Sequence, residues 1–309
     1  AITFIDGDAG ILRYRGYPIE QLAEQATFLE VSYLVLYGEL PTKEQLEDFS
    51  AKITRFHLID ERLKNMFSSM PRKSHPMPVL SAGVNALSTF AQSKWGSDGF
   101  ERERSTHILM GAVPTLAAYG YKNSVGEPFL YPDQSHSYIE NFLRMSFGLP
   151  TTPYPFDDAV TRALDVLLIL HADHEQNCST STVRMVGSSG ANVYVSVAAG
   201  VSALSGPLHG GANQAVLEML KALRDSGESV KDYIAKVKDN KASTKLMGFG
   251  HRIYKNYDPR AAIVKKHADA ILNTLVGHDP LLDLAVALEE AALSDPYFQE
   301  RKLYPNVDF

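Results

Sequence analysis

Residues 41–56 read PTKEQLEDFSAKITRF, a stretch that carries both a start signal and a buried face for an α-helix. Thr42 and Gln45 stand three residues apart, as in a capping box, where each side chain accepts a hydrogen bond from the other residue's backbone N–H. Apolar residues then recur every three or four positions, at Leu46, Phe49, Ile53 and Phe56. This spacing puts them on one face, so the stretch predicts a helix that buries one side against a core.

Similar helical patterns, separated by Pro, Gly, Asp and Ser, fill most of the chain outside this stretch. We predict further helices at about residues 59–70, 76–92, 103–122, 136–147, 156–175, 192–205, 211–225, 228–238, 259–275 and 280–294. Residues 1–15 differ, because turn residues at 6–10 lie between two short apolar runs and predict a small β-hairpin. No longer strand series and no βαβ alternation follows, so the predicted fold class is all-α.

Charge and cysteine content argue against several classes of protein. The 309 residues carry 30 Lys and Arg against 36 Asp and Glu, a net charge of −6, which disfavours a nucleic-acid binder with a basic surface. Cys178 is the only cysteine, so no intrachain disulfide framework is possible, and the chain fits a reducing, cytoplasmic compartment. The chain begins at Ala1 without a Met or a charged-then-apolar leader, and we expect it to be cut from a longer chain at both ends.

The uncharged stretch at residues 185–217 contains no Asp, Glu, Lys or Arg. Small polar residues interrupt it, and its apolar part is too short to cross a bilayer. We therefore expect a buried helix, rich in Ala, Gly and Ser, that packs closely on another helix or subunit, and no membrane association. From about residue 212 the chain is charge-rich and amphipathic instead, which predicts a large helical domain at 1–210 and a smaller one at 211–309.

His209 is the first candidate for a functional site, because it lies in the glycine-rich segment GPLHGG at 206–211, directly before a predicted helix. The positive end of a helix dipole disfavours protonation, so a neutral imidazole that donates one hydrogen bond is expected there. Such a group can polarise a carbonyl or stabilise an enol. The alternative is a histidine that only caps a helix or fills a core.

His251 follows glycine in a similar way, in the segment GFGH at 248–251. Glycine allows the backbone to approach a ligand closely. Lys255 and Arg260 follow beside a predicted helix start, and cations next to glycine backbone suit a phosphate or carboxylate ligand. The alternative is a solvated basic turn.

Two further groups have weaker signals. His171 and His174 are three residues apart on a predicted helix, which could suit zinc, but the order of ligands matches no zinc motif and no cysteine pair assists. A helix end that lines a pocket is the favoured interpretation. Asp308 lies between Val307 and Phe309, where partial burial would raise its pKa and help it to remove a weakly acidic C–H proton. Its alternative is a surface carboxylate near a chain end.

Taken together, these motifs resemble the citrate synthase family, in particular its bacterial and actinobacterial members, over almost the whole chain. Six segments in the family's order carry the resemblance: FIDGDAGIL at 4–12, RGYPI at 15–19, LILHADHEQNCSTST at 168–182, GPLHGGAN at 206–213, GFGHR at 248–252 and LYPNVDF at 303–309. Each segment alone is moderately specific, and the ordered set is very specific. The resemblance implies a large and a small helical domain that close over the substrates.

The resemblance also implies a reaction, the condensation of acetyl-CoA with oxaloacetate and water to citrate and CoA at the entry to the tricarboxylic acid cycle. Asp308 would remove a proton from the acetyl methyl group. His209 would donate a hydrogen bond to the thioester oxygen of the enol. His251 would donate to, or protonate, the oxaloacetate carbonyl as the new C–C bond forms.

Binding roles follow from the same resemblance. Arg260 and His171 would hold the oxaloacetate carboxylates, and Lys255 would lie near the CoA phosphates. The adenine end of CoA would lie against the backbone of Leu246, Met247, Gly248, Phe249 and Gly250. The resemblance implies no metal and no tightly bound cofactor, with acetyl-CoA as co-substrate, and a homodimer or a higher homo-oligomer in the cytoplasm.

One departure from the family pattern concerns the end of the chain. The family continues with helices that carry two more arginines for the substrate carboxylates, so we expect the chain as written to bind oxaloacetate poorly. Two alternatives stay open. They are a 2-methylcitrate synthase that uses propionyl-CoA, and a truncated fragment without catalytic activity.

Overall fold

The computed structural model describes residues 1–91, 99–239, 244–274 and 279–309. Helices dominate these residues, which confirms the predicted all-α class with a small N-terminal sheet. In chain order the elements are β1 (Thr3–Asp6), β2 (Ile11–Tyr14), β3 (Tyr17–Pro18), α1 (Ile19–Gln25), α2 (Phe28–Tyr37), α3 (Lys43–Thr54), α4 (Glu61–Ser68), α5 (Pro76–Phe90), α6 (Gly99–Val125), α7 (Tyr138–Phe147), α8 (Asp158–Leu170), α9 (Cys178–Gly187), α10 (Val193–Leu204), α11 (Ala212–Ser226), α12 (Val230–Lys238), α13 (Pro259–Thr274), α14 (Pro280–Ser294) and α15 (Pro296–Glu300).

Two compact units divide the chain. The first unit contains residues Ala1–Glu39, Asp165–Asp173 and Gly210–Phe309, and the second contains Leu40–Leu164 and His174–His209. The domain boundaries expected from the sequence, 1–210 and 211–309, stay a prediction.

The N-terminal sheet is an antiparallel hairpin with one short added strand. β1 pairs with β2 so that Ile5 faces Leu12, and β2 pairs in turn with β3. Asp6 closes the turn, since its Oδ1 accepts the backbone N–H groups of Asp8 at 3.1 Å and Ala9 at 2.9 Å. The hairpin predicted within residues 1–15 is therefore confirmed.

Two apolar cores hold the first unit together. One core joins β2 to α1, α2 and the end of α8, and its buried residues include Leu12, Tyr14, Leu22, Leu34 and Ile169. The other core joins α11, α12, α14 and α15, with Val216, Leu220, Ile234, Leu288 and Phe298 buried. Burial of each such side chain contributes about 1.5–3 kcal/mol to folding stability. The two cores therefore hold the helices and strands of this unit in place.

The second unit is built around α4, α5, α6 and α10. Its buried core includes Leu63, Phe67, Val84, Leu116 and Tyr194. Helix α10 lies in the uncharged stretch of the sequence and packs very closely on its neighbours. A Cβ atom at Gly200 would lie 2.5 Å from Cγ2 of Val183 on α9, and the Ser81 hydroxyl on α5 donates to the Ala198 carbonyl at 2.9 Å. Small residues are needed for this close approach of helices.

Membrane-spanning helices are not found in the described part of the chain, where no helix combines the necessary length and apolar character.

The capping box expected at residue 42 is present. The Thr42 hydroxyl accepts the Gln45 N–H at 3.3 Å, and the Gln45 side chain accepts the Thr42 N–H at 2.8 Å. Of the predicted apolar face, Phe49 and Ile53 are buried, and Leu46 and Phe56 are half-buried. The sequence therefore predicted both the start of α3 and the side that it buries.

The helix predicted at 156–175 is too long. Helix α8 ends at Leu170, where the His171 N–H bonds to the carbonyls of Leu167 and Leu168 and tightens the last turn. A new helix, α9, begins at Cys178 with Asn177 as its cap. Its Ser- and Thr-rich sequence hid it, because these residues compete for backbone hydrogen bonds and weaken a helical pattern.

His57 is a buried histidine whose ring nitrogens have no hydrogen-bond partner within the described ranges, and its side chain is only 2% exposed. Burial lowers its pKa from the usual 6.5. Below pH 6.5 the unfolded chain takes up this proton and the folded chain resists it, so stability falls as the pH falls, by up to about 1.4 kcal/mol per pH unit.

We expect His57→Leu to remove this loss. The thermal midpoint of the variant should change less between pH 7.5 and pH 5.5 than that of the wild type, as measured by calorimetry. His75→Asn is the matched control, because His75 is exposed and caps α5 with its ring, a role that Asn can keep. Equal pH slopes for wild type and His57→Leu would show that the buried ring is not the cause.

Candidate functional site

The structure places His171, His251, Arg260 and Asp308 in the first unit and His209 in the second. Within the first unit, His171 and Arg260 lie close enough to Asp308 for their charges to lower the pKa of its carboxyl group. The structure therefore brings together side chains that are separated by as many as 137 positions in the sequence.

Asp308 is a half-buried carboxylate in the first unit. Burial raises its pKa above the usual 3.8, and the charges of His171 and Arg260 only partly oppose this effect. A carboxylate that is partly removed from water is a stronger base than an exposed one. Its backbone is fixed as well, because the Asp308 N–H donates to Oδ1 of Asn306 at 2.9 Å.

His251 is held by two backbone amides. Its Nδ1 accepts the N–H groups of Ile253 at 3.0 Å and Tyr254 at 3.1 Å. A nitrogen that accepts these bonds carries no proton, so the neutral ring carries its proton on Nε2. Burial lowers the pKa of His251, with Asp258 opposing and Arg260 adding to the effect. His251 is therefore a neutral hydrogen-bond donor through Nε2.

Gly248 and Gly250, which precede His251, both have left-handed backbones, with φ of 79° and 78°. A Cβ atom at Gly248 would lie 2.7 Å from Cβ of Phe309, and one at Gly250 would lie 2.9 Å from Cδ2 of Leu303. The glycines thus allow the last residues of the chain to approach the His251 loop. The sequence suggested that the glycines make room for a ligand. The structure shows that they make room for another segment of the same chain.

Arg260 forms a buried pair with Asp258. Nε and Nη2 of Arg260 donate to the two carboxylate oxygens of Asp258 at 3.1 and 2.9 Å, and the Arg260 backbone N–H donates to Oδ1 at 3.0 Å. The residues are only 5% and 1% exposed. Burial lowers the pKa of Arg260, but the bonds to Asp258 outweigh it and the net shift is upward. The pair holds a planar cation in one orientation.

His171 follows the last residue of α8. Its Nδ1 lies 2.7 Å from the carbonyl oxygen of Leu167, so Nδ1 carries a proton and donates to that carbonyl. The N-terminal hairpin supports this segment, because the Tyr14 hydroxyl donates to the Leu170 carbonyl at 3.3 Å and the Thr3 hydroxyl donates to the Asp173 carboxylate.

The hairpin supports the His251 loop too. The Lys255 N–H donates to the Gly7 carbonyl at 2.8 Å, and a Cβ atom at Gly7 would lie 2.2 Å from the Ile253 carbonyl oxygen. The Lys255 side chain is exposed, with Nζ 3.3 Å from the Arg252 carbonyl. A cation at this position is accessible to an anionic ligand.

The segment from Leu246 to Gly250 is buried at its first residue and pairs with the end of the chain at Phe249. Leu246 is buried, and the Met247 N–H lies 3.3 Å from the sulfur of Met219. Phe249 pairs in a β-bridge with Pro305, and its ring lies 4.7 Å from that of Phe309.

His209, in the second unit, meets the start of helix α9. Its Nε2 accepts the Ser179 N–H at 3.2 Å and lies 2.9 Å from the Ser179 hydroxyl oxygen. Ser179 is in the first turn of α9, where backbone N–H groups lack partners within the helix. The bond makes Nε2 an acceptor, so the neutral ring carries its proton on Nδ1. The sequence predicted a neutral donor, but not this support from α9.

Metal binding gains no support from the geometry. Within residues 1–91, 99–239, 244–274 and 279–309, no three His, Cys, Asp or Glu side chains lie close enough to hold a metal ion.

Sequence reasoning gave no role to Ser179, Asp258 or Asn306. Each acts on a candidate residue through a hydrogen bond. Only Asp258 had a local signal, since Asp-Pro-Arg at 258–260 matches a helix cap followed by proline at the first helical position.

Comparison with known proteins places this geometry in a family. A family model described as "Citrate synthase, C-terminal domain" matches residues 1–309. The chain is 62% identical to Citrate synthase 1 of Mycobacterium tuberculosis, over all of this chain and 72% of that protein. It is 58% identical to Citrate synthase of Corynebacterium glutamicum, over all of this chain and 71% of that protein.

Solved structures agree. Citrate synthase from Pyrobaculum aerophilum matches with a TM-score of 0.86 and 39% identity, over 99% of this chain and 76% of that one. The enzyme from Thermoplasma acidophilum, a ternary complex with carboxymethyl coenzyme A and oxaloacetate, matches with a TM-score of 0.88 and 30% identity, over 99% of this chain and 78% of that one.

These matches confirm the predicted citrate synthase function, an acyltransferase activity, and support it over the 2-methylcitrate synthase alternative. The chain belongs to the citrate synthase family.

Proposed function

We propose that the protein condenses acetyl-CoA with oxaloacetate and water to give citrate and CoA, with Asp308, His209 and His251 as its catalytic residues. The observation that carries this proposal is the position of the proton on each of the two histidine rings. Backbone amides donate to one nitrogen of each ring, so each neutral ring carries its proton on the other nitrogen, Nδ1 in His209 and Nε2 in His251. Two neutral donors and one desolvated carboxylate suit an enol that forms at neutral pH.

In this proposal Asp308 removes a proton from the acetyl methyl group. The proton is weakly acidic, so the base has to be stronger than an ordinary carboxylate. Burial supplies part of that strength, because it raises the pKa of Asp308.

His209 donates from Nδ1 to the thioester oxygen of acetyl-CoA as the enol develops. The Ser179 N–H on Nε2 holds this tautomer. A neutral donor with a fixed orientation stabilises the developing charge without losing its own proton outright.

His251 donates from Nε2 to the ketone oxygen of oxaloacetate. The enol carbon attacks the ketone carbon, and the new C–C bond forms as the Nε2 proton of His251 passes to the ketone oxygen, which becomes the hydroxyl of citryl-CoA. The proton that Asp308 took from the methyl group balances the one that His251 gives up. Water then cleaves the thioester, which releases citrate and CoA. No step needs a metal or a tightly bound cofactor.

Arg260 and His171 bind the carboxylates of oxaloacetate in this proposal. Arg260 carries a permanent charge and a fixed guanidinium plane, which suits a carboxylate. Lys255 is exposed and suits the CoA phosphates, and the backbone of residues 246–250 suits the adenine end of CoA.

We also propose that the protein works as a homodimer or a higher homo-oligomer in the cytoplasm, within the tricarboxylic acid cycle, with its two substrates as small-molecule partners and without nucleic acid or membrane. A single cysteine and a net charge of −6 support this setting.

Release of free CoA thiol tests the reaction and its substrate. With oxaloacetate present, we expect kcat/KM for acetyl-CoA to exceed that for propionyl-CoA by about tenfold or more, since one methyl group in a closed pocket is worth about 1–3 kcal/mol. A preference for propionyl-CoA would overturn the choice of acetyl-CoA, and no thiol release with either would overturn the proposed function.

A further inference from the structure

Asn306 joins the two segments that carry Asp308 and His251. Its backbone N–H donates to the Gly248 carbonyl at 2.9 Å. Its side-chain Nδ2 donates to the Gly250 carbonyl at 2.8 Å, and its Oδ1 accepts the Asp308 N–H at 2.9 Å. One amide side chain therefore bonds at one end to the residue before His251 and at the other end to Asp308 itself.

Other contacts confirm that the two segments are closely paired. The Gly250 N–H donates to the Tyr304 carbonyl at 2.7 Å, and Phe249 pairs with Pro305 in a β-bridge. These bonds hold the backbone before Asn306. Beyond that residue the chain turns, since the Phe309 N–H bonds back to the Asn306 carbonyl at 3.2 Å. The amide of Asn306 is thus the side chain that extends the pairing to the turn that carries Asp308.

We propose that Asn306 is a positioning residue, which fixes the Asp308 carboxylate relative to the His251 loop without touching substrate. This inference rests on the proposed roles of Asp308 and His251. Proton removal by Asp308 and donation by His251 act on two substrates that have to meet in one geometry, and an error of about 1 Å in such a geometry can cost about 100-fold in rate.

The chemistry of the side chain explains why an asparagine suits this position. The Gly250 carbonyl needs a donor and the Asp308 N–H needs an acceptor, and a primary amide presents both on one short side chain. Aspartate could still accept the Asp308 N–H. It has no N–H to donate to the Gly250 carbonyl and would place a carboxylate oxygen against that carbonyl. Serine can accept the N–H two residues ahead, as asparagine does, but it is too short to reach the Gly250 carbonyl as well. Leucine can make neither bond.

The three variants Asn306→Ser, Asn306→Asp and Asn306→Leu test this proposal in the full-length protein. We expect kcat to fall about threefold or more for Asn306→Ser and about 10- to 100-fold for the other two. The KM for oxaloacetate should stay within about threefold of the wild-type value, because Asn306 does not bind substrate. If Asn306 had only a structural role, its variants would lower the thermal midpoint, but kcat would not fall less in Asn306→Ser than in the other two variants. Nor would kcat fall while KM stayed nearly constant.

Gln299→Glu is the matched control. The Gln299 side chain also donates an amide N–H to a backbone carbonyl, that of Leu293 at 2.7 Å, in the same unit, but it bonds to no candidate residue. We expect this variant to keep kcat within about twofold of wild type, whatever its effect on the thermal midpoint.

If Asn306→Leu does not fold, Asn306→Ser decides the question by its kcat against that of Gln299→Glu. A folded Asn306→Ser with the kcat of the control would overturn the positioning role. So would a folded Asn306→Leu with wild-type kcat. All values are ratios to the wild type, so an inactive wild-type protein would instead count against the proposed function.

Discussion

Replacement of Asp308 by Asn is expected to lower kcat by about 10²- to 10⁴-fold, the usual contribution of a general base. The amide has nearly the shape of the carboxylate and keeps the backbone N–H bond to Asn306, so the loop should stay in place. It cannot accept the acetyl proton. Binding of oxaloacetate should not weaken, because the carboxylate of Asp308 repels a dianion rather than attracts it.

The pH dependence of kcat gives a second test of the same residue. Burial raises the pKa of Asp308, so the ionised form that acts as base is lost as the pH falls through a value above 3.8. We expect an acid limb of kcat in the wild type above that pH. The residual activity of Asp308→Asn should lack this limb.

Asp269→Asn is the matched control for both measurements. Asp269 is exposed on α13 in the same unit, and its substitution makes the same change of charge. We expect wild-type kcat and a wild-type acid limb. Near-normal turnover in Asp308→Asn would contradict the assignment of the base.

Local sequence signals predicted much of the fold. Capping and periodicity are short-range properties, and they placed α3 and the small hairpin well. The signals failed where local preferences compete. At residues 156–175 the apolar pattern continued past the true end of α8, and the Ser- and Thr-rich start of α9 showed no clear pattern at all.

The candidate site was predictable to a similar extent. Glycine beside His209 and His251 marked both residues, and Asp308 stood out by its apolar neighbours. The supporting bonds were not predictable, because they join distant positions. Ser179 bonds to His209 30 positions away, and Asn306 bonds to Gly250 56 positions away. No spacing rule connects such residues before the chain is folded.

Arg260→Leu is expected to weaken oxaloacetate binding by about 100-fold. Hydrogen bonds from a charged donor are worth about 1.5–3 kcal/mol each, and loss of about 2.7 kcal/mol corresponds to that factor. The guanidinium is buried, so little water is present to screen its charge. The dissociation constant, measured by calorimetric titration with oxaloacetate, checks the prediction. An unchanged value would remove Arg260 from the substrate site.

Stability has to be separated from binding in this experiment. Leucine at position 260 leaves the buried Asp258 carboxylate without its cation, which typically costs about 3–5 kcal/mol of folding free energy. The double variant Asp258→Asn/Arg260→Leu removes that charge, and Asn can still cap α13 by accepting the backbone N–H of residue 260. We expect the double variant to recover much of the thermal stability but none of the oxaloacetate affinity. If affinity returned together with stability, the loss in Arg260→Leu would have come from a disordered α13 start, not from a missing ligand to the substrate carboxylate.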